Sequence, residues 1–304
     1  MKKDPIKLNT IENANAIVRG KEIQNSELDM VICDPPQYSN INDRLLNNWK
    51  NKEEYYQWFD LYMNIVAIKL KRTGIFFLIG AFEENYRLIE IIRRYKFELE
   101  DTYYFLKNRK HNTYKRNRDI VRTTPVVDCV MVFTRSHVRE VRTLLLAKQQ
   151  EHRLTPKDIN IYLTGTGEGG GYWSLYCGEN RRNIIPSPDN WEKFQKLFDI
   201  DVEYSVIQCQ YCPYDGINIW DEEIYFEERN DNVKYIDRPR ELYERIFSMN
   251  RNELSKLVVW DSFCGYGNCI KVCKKYSIGY YGHEMNCDVF IKAKINIICQ
   301  TKKK

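Results

Sequence analysis

Between Leu28 and Cys33 the chain reads Leu-Asp-Met-Val-Ile-Cys, apolar but for one carboxylate, and stops at Asp34-Pro35-Pro36. Two prolines remove two backbone donors, so no ladder continues through them; the pattern predicts a buried strand delivering a loop at its C-terminal end. From Tyr55 to Leu70 the apolar residues Tyr55, Phe59, Tyr62, Met63, Val66 and Leu70 fall at helical spacing, and Arg72-Thr73-Gly74 is expected to stop that helix. Ile75 to Ile79 then reads as a second buried strand. A helix from Glu83 to Tyr95 and strands from Phe97 to Leu106 and from Val126 to Thr134 continue the alternation. Short apolar runs between amphipathic helices predict an α/β fold: a doubly wound, mixed but mostly parallel sheet with helices on both faces.

The rhythm breaks from about Ser136 to Asp231, where Gly165, Gly167, Gly169, Gly170 and Gly171 mix with Trp and Tyr and periodicity weakens. It resumes after Pro239. A helix carrying Leu242, Ile246 and Phe247 leads to a strand at Leu257 to Trp260, the loop Asp261-Ser-Phe-Cys-Gly-Tyr-Gly-Asn268, a helix from Cys269 to Tyr276, and a strand from Ser277 to Gly282 that ends at His283-Glu284. Strand, glycine loop, helix, strand, acid is the layout of a nucleoside-cofactor site in an open sheet. The expected organisation is a core split into 1–135 and 236–304, with 136–235 inserted.

Composition narrows the class. With 304 residues, 43% hydrophobic and 29% charged, and no biased tract beyond Lys302 to Lys304, the chain can bury a sizeable core. No apolar run of signal-peptide length follows Met1 to Pro5, and nowhere do about 18 apolar residues stand together, so a cytoplasmic protein, nuclear in a eukaryote, with no membrane partner is expected. In that setting the ten cysteines read as reduced thiols. The net charge of +5 is mild, but Lys107, Arg109, Lys110, Lys115, Arg116, Arg118 and Arg122 crowd one stretch with Tyr114; this suits phosphate contacts and equally a solvated basic loop.

Two constellations carry chemistry. Gly265 and Gly267 let the backbone turn sharply and approach a ligand, and Glu284, at the tip of the next strand, is placed to accept from ribose hydroxyls. A dinucleotide fingerprint is not met, because its third glycine position falls on Ile270. A plain strand-to-helix turn is the alternative. In the second constellation, Asp34-Pro35-Pro36-Gln37-Tyr38, the prolines stiffen a loop so that a carboxylate and its neighbouring carbonyls project fixed acceptors, with an aromatic beside them. Taken alone, Asp-Pro-Pro also ends purely structural strands.

Together, and in this order, the segments resemble the amino-group DNA methyltransferases. Leu28 to Tyr38 looks like the family's Asp-Pro-Pro-aromatic catalytic motif. Asp261 to Asn268 looks like its cofactor loop, Asp-Pro-Phe-x-Gly-x-Gly-Thr. Asp237-Arg238-Pro239 resembles the Lys-Pro segment that closes the methionine end, and Gly74 to Ile79 and Val126 to Thr134 resemble core strands. Catalytic loop first and cofactor loop last is the beta arrangement, whose variable module is the target-recognition domain.

The resemblance implies a Rossmann-like, S-adenosyl-L-methionine-dependent methyltransferase acting on adenine N6 in DNA by direct transfer to a flipped-out base, as in restriction-modification. Its implied catalytic residues are Asp34, Pro35, Pro36 and Tyr38. Asp261, Phe263, Gly265, Gly267, Asn268, Glu284, Arg238, Pro239 and Cys33 would hold the cofactor. Lys107, Arg109, Lys110, Lys115, Arg116, Arg118, Arg181 and Arg182 would meet DNA. A cognate restriction enzyme or a homodimer partner is also implied.

An exocyclic amine is a poor nucleophile, and acceptors aimed at its N–H groups pull nitrogen towards tetrahedral geometry, which is the work assigned to Asp34 and a proline carbonyl. Three residues depart from the family pattern: Gln37 stands where an aromatic is usual, Ser262 replaces Pro, and Asn268 replaces Thr. N4-cytosine methylation and a catalytically inactive DNA-binding subunit are the rival readings. Cys209-x-x-Cys212 is half a zinc motif without a second pair at suitable spacing, so no metal is expected; Cys177 and His152 are the residues that could complete one.

Overall fold

The computed structural model describes residues 6–38, 46–80, 82–106, 127–135, 137–165, 171–179, 184–208, 210–213, 219–220 and 238–299. It divides into two compact units, one formed by 1–134 with 210–304 and the other by 135–209.

The first unit is built on one eight-stranded sheet. Its strands are β1 (Thr10–Asn13), β2 (Leu28–Cys33), β3 (Leu70–Gly80), β4 (Glu98–Leu106), β5 (Val127–Thr134), β6 (Ile219–Trp220), β7 (Val258–Asp261) and β8 (Gly279–Glu284), in the order β1-β8-β7-β2-β3-β5-β4-β6. Strands β1, β8, β7, β2 and β3 run parallel, β5 lies antiparallel to both β3 and β4, and β6 pairs parallel to β4. The expected α/β sheet is thus present, mixed and mostly parallel. Ile219–Trp220 falls in the stretch read as inserted, yet it forms an edge strand of this sheet.

Alternation along the strands shows why helices cover both faces. Val31, Cys33, Phe76, Leu78, Met131 and Phe133 join the cluster under the helix Lys52–Lys69, with Tyr55, Phe59, Tyr62 and Val66. Residues of the other parity, Met30, Ile32, Ile75, Phe77, Ile79, Val130 and Val132, are equally buried, on the opposite face. On that second layer the helices Arg240–Ser248, Asn268–Lys275 and Cys287–Cys299 pack in sequence.

The helix Lys52–Lys69 begins at Asn51, whose side chain accepts from Glu54 N–H at 2.9 Å, with Glu53 and Glu54 favouring its positive end. It stops at Lys69, earlier than Arg72-Thr73-Gly74 suggested. Leu70 is already extended and pairs with Leu28, and the register slips between Leu28 and Met30. Gly74 belongs to that irregularity: a Cβ there would stand 2.9 Å from the Asp29 carbonyl oxygen, so the glycine permits close strand approach. Asp29, the carboxylate inside β2, is buried and satisfied by Lys71 Nζ at 2.7 Å and Val258 N–H at 2.9 Å.

The second unit is helical, with helices at Val138–Glu151, Pro156–Thr164, Tyr172–Cys177, Pro188–Phe198 and Tyr204–Ile207 around Leu145, Ile159, Trp191, Phe194 and Phe198. Its periodicity looked weak because most of these helices are short. Their ends are nonetheless well marked: Thr155 and Asp158 form a capping box on the helix Pro156–Thr164, Gly165 closes that same helix in the left-handed region, and Ser187 caps the helix opened by Pro188. Among the described residues no helix is long and apolar enough to cross a membrane.

Candidate active site

Strand order brings the two constellations together. β7 lies between β8 and β2, and Ile32 pairs with Asp261, so the loops leaving β2 and β7 emerge side by side from one edge. The chain continues from β7 towards β8 in one direction and from β2 towards β3 in the other, which makes this edge a topological switch point, where ligands bind in open sheets.

The glycine loop is defined by its backbone. Cys264 N–H donates to the His283 carbonyl at 2.9 Å, Gly267 N–H donates to the Cys264 carbonyl at 2.7 Å, and Gly265 and Gly267 take φ of 49° and 82°. That left-handed geometry favours glycine. The helix from Asn268 starts directly after Gly267 with no side-chain cap on its first N–H groups. Glu284, buried at the tip of β8, accepts from Gly265 N–H at 3.1 Å and Asn286 N–H at 2.8 Å, so a carboxylate is fixed at the mouth of the loop. Half-buried Phe263 lies 5.7 Å from Trp58 and 5.3 Å from Tyr62, offering an apolar flank. Glycine turn, carboxylate and aromatic flank form a donor set that fits a nucleoside: close backbone approach, diol recognition and a surface for a ring.

The acidic corner is defined by side chains. Asp34 leaves β2 with its side chain 26% exposed, and Arg238 grips it bidentately, Nε to Oδ2 at 2.8 Å and Nη2 to Oδ1 at 3.2 Å. The third guanidinium nitrogen, Nη1, donates to Asp128, whose side chain is 3% exposed. Burial opposes the charge on Arg238, but the two carboxylates outweigh it and drive its pKa up. Asn268 donates to the Arg238 carbonyl at 3.0 Å, tying this segment to the first turn after the glycine loop. Pro239 is buried beside it.

A second stitch joins the loops from below. Ser262 donates its N–H to the Ile32 carbonyl at 3.3 Å and its hydroxyl to the same oxygen at 3.1 Å, and that hydroxyl meets Tyr62 OH at 2.5 Å. A proline at 262 could supply neither donor. Cys33 is fully buried next to Tyr62, and burial pushes both pKa values up. His283 is also buried and accepts from Trp260 Nε1–H at 2.8 Å; burial lowers its pKa to about 4.

Pro35 is buried and Pro36 half-buried, as a stiff corner requires. Tyr38 is half-buried, 6.4 Å from Tyr55, with its hydroxyl donating to the Lys50 carbonyl at 3.4 Å. A row of rings, Tyr38, Tyr55, Trp58 and Phe263, connects corner to loop. Lys107, Arg109, Lys110, Lys115, Arg116, Arg118, Arg181, Arg182 and Cys209 lie outside the described residues. Among the described residues no group of three His, Cys, Asp or Glu is placed to hold a metal.

Sequence reasoning missed Asp128, Trp58 and the Tyr62–Ser262 pair. Asp128 left a trace: a carboxylate inside the apolar run Val126 to Phe133 demands a buried partner.

The model of the DNA methylase family N6_N4_Mtase matches residues 28–293. The chain belongs to that family. The cofactor of these amino-group DNA methyltransferases is S-adenosyl-L-methionine, the ligand for which the glycine loop has a fitting donor set. The methylase fold recurs in solved structures. The PvuII DNA methyltransferase, named as cytosine-N4-specific, is 15% identical with a TM-score of 0.55, covering 94% of this chain and 84% of its own. TTHA0409 of Thermus thermophilus, assigned to the DNA modification methylases, is 13% identical with a TM-score of 0.54, covering 97% and 96%. Its complex with S-adenosyl-L-methionine gives 14% and 0.51. No curated protein matches the chain.

Proposed function

We propose that this DNA methylase transfers a methyl group to the N6 amine of adenine, with Asp34 and the carbonyl of Pro35 or Pro36 as acceptors for the amine. The observation that carries this reading is the adjacency of the Asp34 corner and the Gly265–Gly267 loop on one sheet edge, through the Ile32–Asp261 pair. When bound, S-adenosyl-L-methionine supplies an electrophilic methyl on sulfonium sulfur. Gly265, Gly267, Phe263 and Glu284 would hold its nucleoside end, and the Arg238-Pro239 segment would close its methionine end. Asp34 would accept from the amine, draw its nitrogen out of conjugation and stabilise the positive charge that develops there. Tyr38 would stack on the flipped base, and the rigid proline corner would hold the geometry for in-line displacement.

Adenine is supported by Gln37, at the position where the family has an aromatic. With both N6–H groups taken by Asp34 and a proline carbonyl, the Gln37 amide N–H would donate to adenine N7, an acceptor that cytosine lacks. Cytosine N4 is the second reading, because the same corner would grip that amine. The basic run 107–122 and Arg181-Arg182 would meet phosphates, so binding should weaken with salt. A role beside a cognate restriction enzyme in the cytoplasm completes the proposal.

The test is tritiated methyl transfer to duplex DNA, with digestion of the product to nucleosides. N6-methyladenine is expected from wild type, and on the order of 10²- to 10³-fold less of it from Asp34→Ala. N4-methylcytosine would move the assignment to the second reading, and equal incorporation by both proteins would remove Asp34 from the mechanism.

A further inference from the structure

We propose that Asp128 is a positioning residue for methyl transfer, acting through Arg238 to keep the Asp34 corner net negative and correctly aimed; this rests on the function proposed above. A guanidinium held bidentately on Asp34 poses an electrostatic problem. The corner must stabilise positive charge growing on an amine, and a lone Arg238 would cancel the Asp34 charge that does so. Asp128 supplies the missing charge. These three side chains carry two carboxylate charges against one guanidinium.

Burial makes the arrangement directional. The Asp128 side chain is 3% exposed and that of Arg238 11%, whereas Asp34 is 26% exposed. Asp128 is thus the inner anchor and Asp34 the outer face that substrate can reach. With Nη1 fixed on Asp128, the fork formed by Nε and Nη2 has its orientation set, and the Asp34 carboxylate is held in one rotamer. Topology permits this because β5 is antiparallel to β3. Cys129 pairs with Gly80 at the C-terminal end of β3, so the first residues of β5 reach the edge where β2 ends. Cys129 Sγ–H, donating to the Gly80 carbonyl at 3.1 Å, pins that register.

The experiment is a double-mutant cycle on kcat and KM with duplex DNA and tritiated S-adenosyl-L-methionine, active sites being counted by cofactor titration so that unfolded protein does not enter kcat. Asp128→Asn is expected to lower kcat roughly 10- to 100-fold, with both KM values within about threefold of wild type. Asp128→Glu, which keeps the charge, should retain kcat within about threefold. In an Arg238→Gln background the Asp128→Asn change should cost less than about threefold, since the guanidinium it acts through is gone. Full kcat in Asp128→Asn overturns the inference while leaving the proposed function standing. The same loss with and without Arg238, or unfolded protein from both Asp128 variants, overturns it as well by making Asp128 purely structural. A wild type that methylates no DNA would bring down the proposed function and this inference together.

Discussion

The glycine loop and the acidic corner leave adjacent parallel strands and are built by opposite means. In the loop, function resides in backbone: two left-handed glycines, a tight turn and a helix start, with Glu284 bonded to main-chain N–H groups. In the corner it resides in side chains drawn from distant parts of the chain, Asp34, Asp128 and Arg238. A backbone site depends less on side-chain identity, and at its edge the Asn268 side chain adds a donor to the Arg238 carbonyl. A charge cluster does not, since removing one member of a buried set leaves another uncompensated.

The comparison breaks first at the corner. Asp34→Ala should reduce methyl transfer on the order of 10²- to 10³-fold, the scale for losing one preorganised electrostatic partner, while cofactor affinity by calorimetry stays close to wild type. Behind the loop, His283 makes stability pH-dependent. An unfolded histidine takes a proton at its ordinary pKa near 6.5, whereas the buried ring resists until about pH 4. Between those values the unfolded state binds more protons, so this contribution is full above about 6.5 and is lost as pH falls towards 4, by about 3 kcal/mol in all. His283→Gln should flatten the denaturation-midpoint profile over that window.

Gly267→Ala tests the backbone claim. Its Cβ would meet Ile297 Cδ1 at 2.9 Å at φ 82°, so a loss of about 1–3 kcal/mol in stability and weaker cofactor binding are expected, by thermal melting and titration. The smallest effect should come from Glu284→Gln, which keeps the shape and loses the charge. Cofactor affinity should fall about tenfold with kcat at saturation nearly unchanged, as loss of a charged hydrogen bond implies.

Much of the fold was legible because strands and helices are written in neighbouring residues. The fully buried run Leu28–Cys33, the period of Tyr55, Phe59, Tyr62 and Val66, and the strand-glycine-helix-acid series to Glu284 each express local geometry. Less visible were β1, which pairs with β8 through a four-residue segment of ordinary composition, and the helix Cys287–Cys299 that covers it. The early stop of Lys52–Lys69 was hidden as well, because Leu70 fits a helical stripe and a buried strand equally and only its pairing with Leu28 decides.

The order of motifs along the chain, the demand for glycine at 265 and 267, and the stiffness of Pro35-Pro36 were determined by the sequence itself, since each depends on covalent geometry and adjacent residues. Tertiary structure alone decided that Asp128 stands opposite Asp34, that Arg238 joins them, and that Ser262 closes onto the Ile32 carbonyl. Those contacts turn on strand direction and register: reversing β5 would carry Asp128 to the far edge of the sheet without changing one hydrophobic position in its pattern.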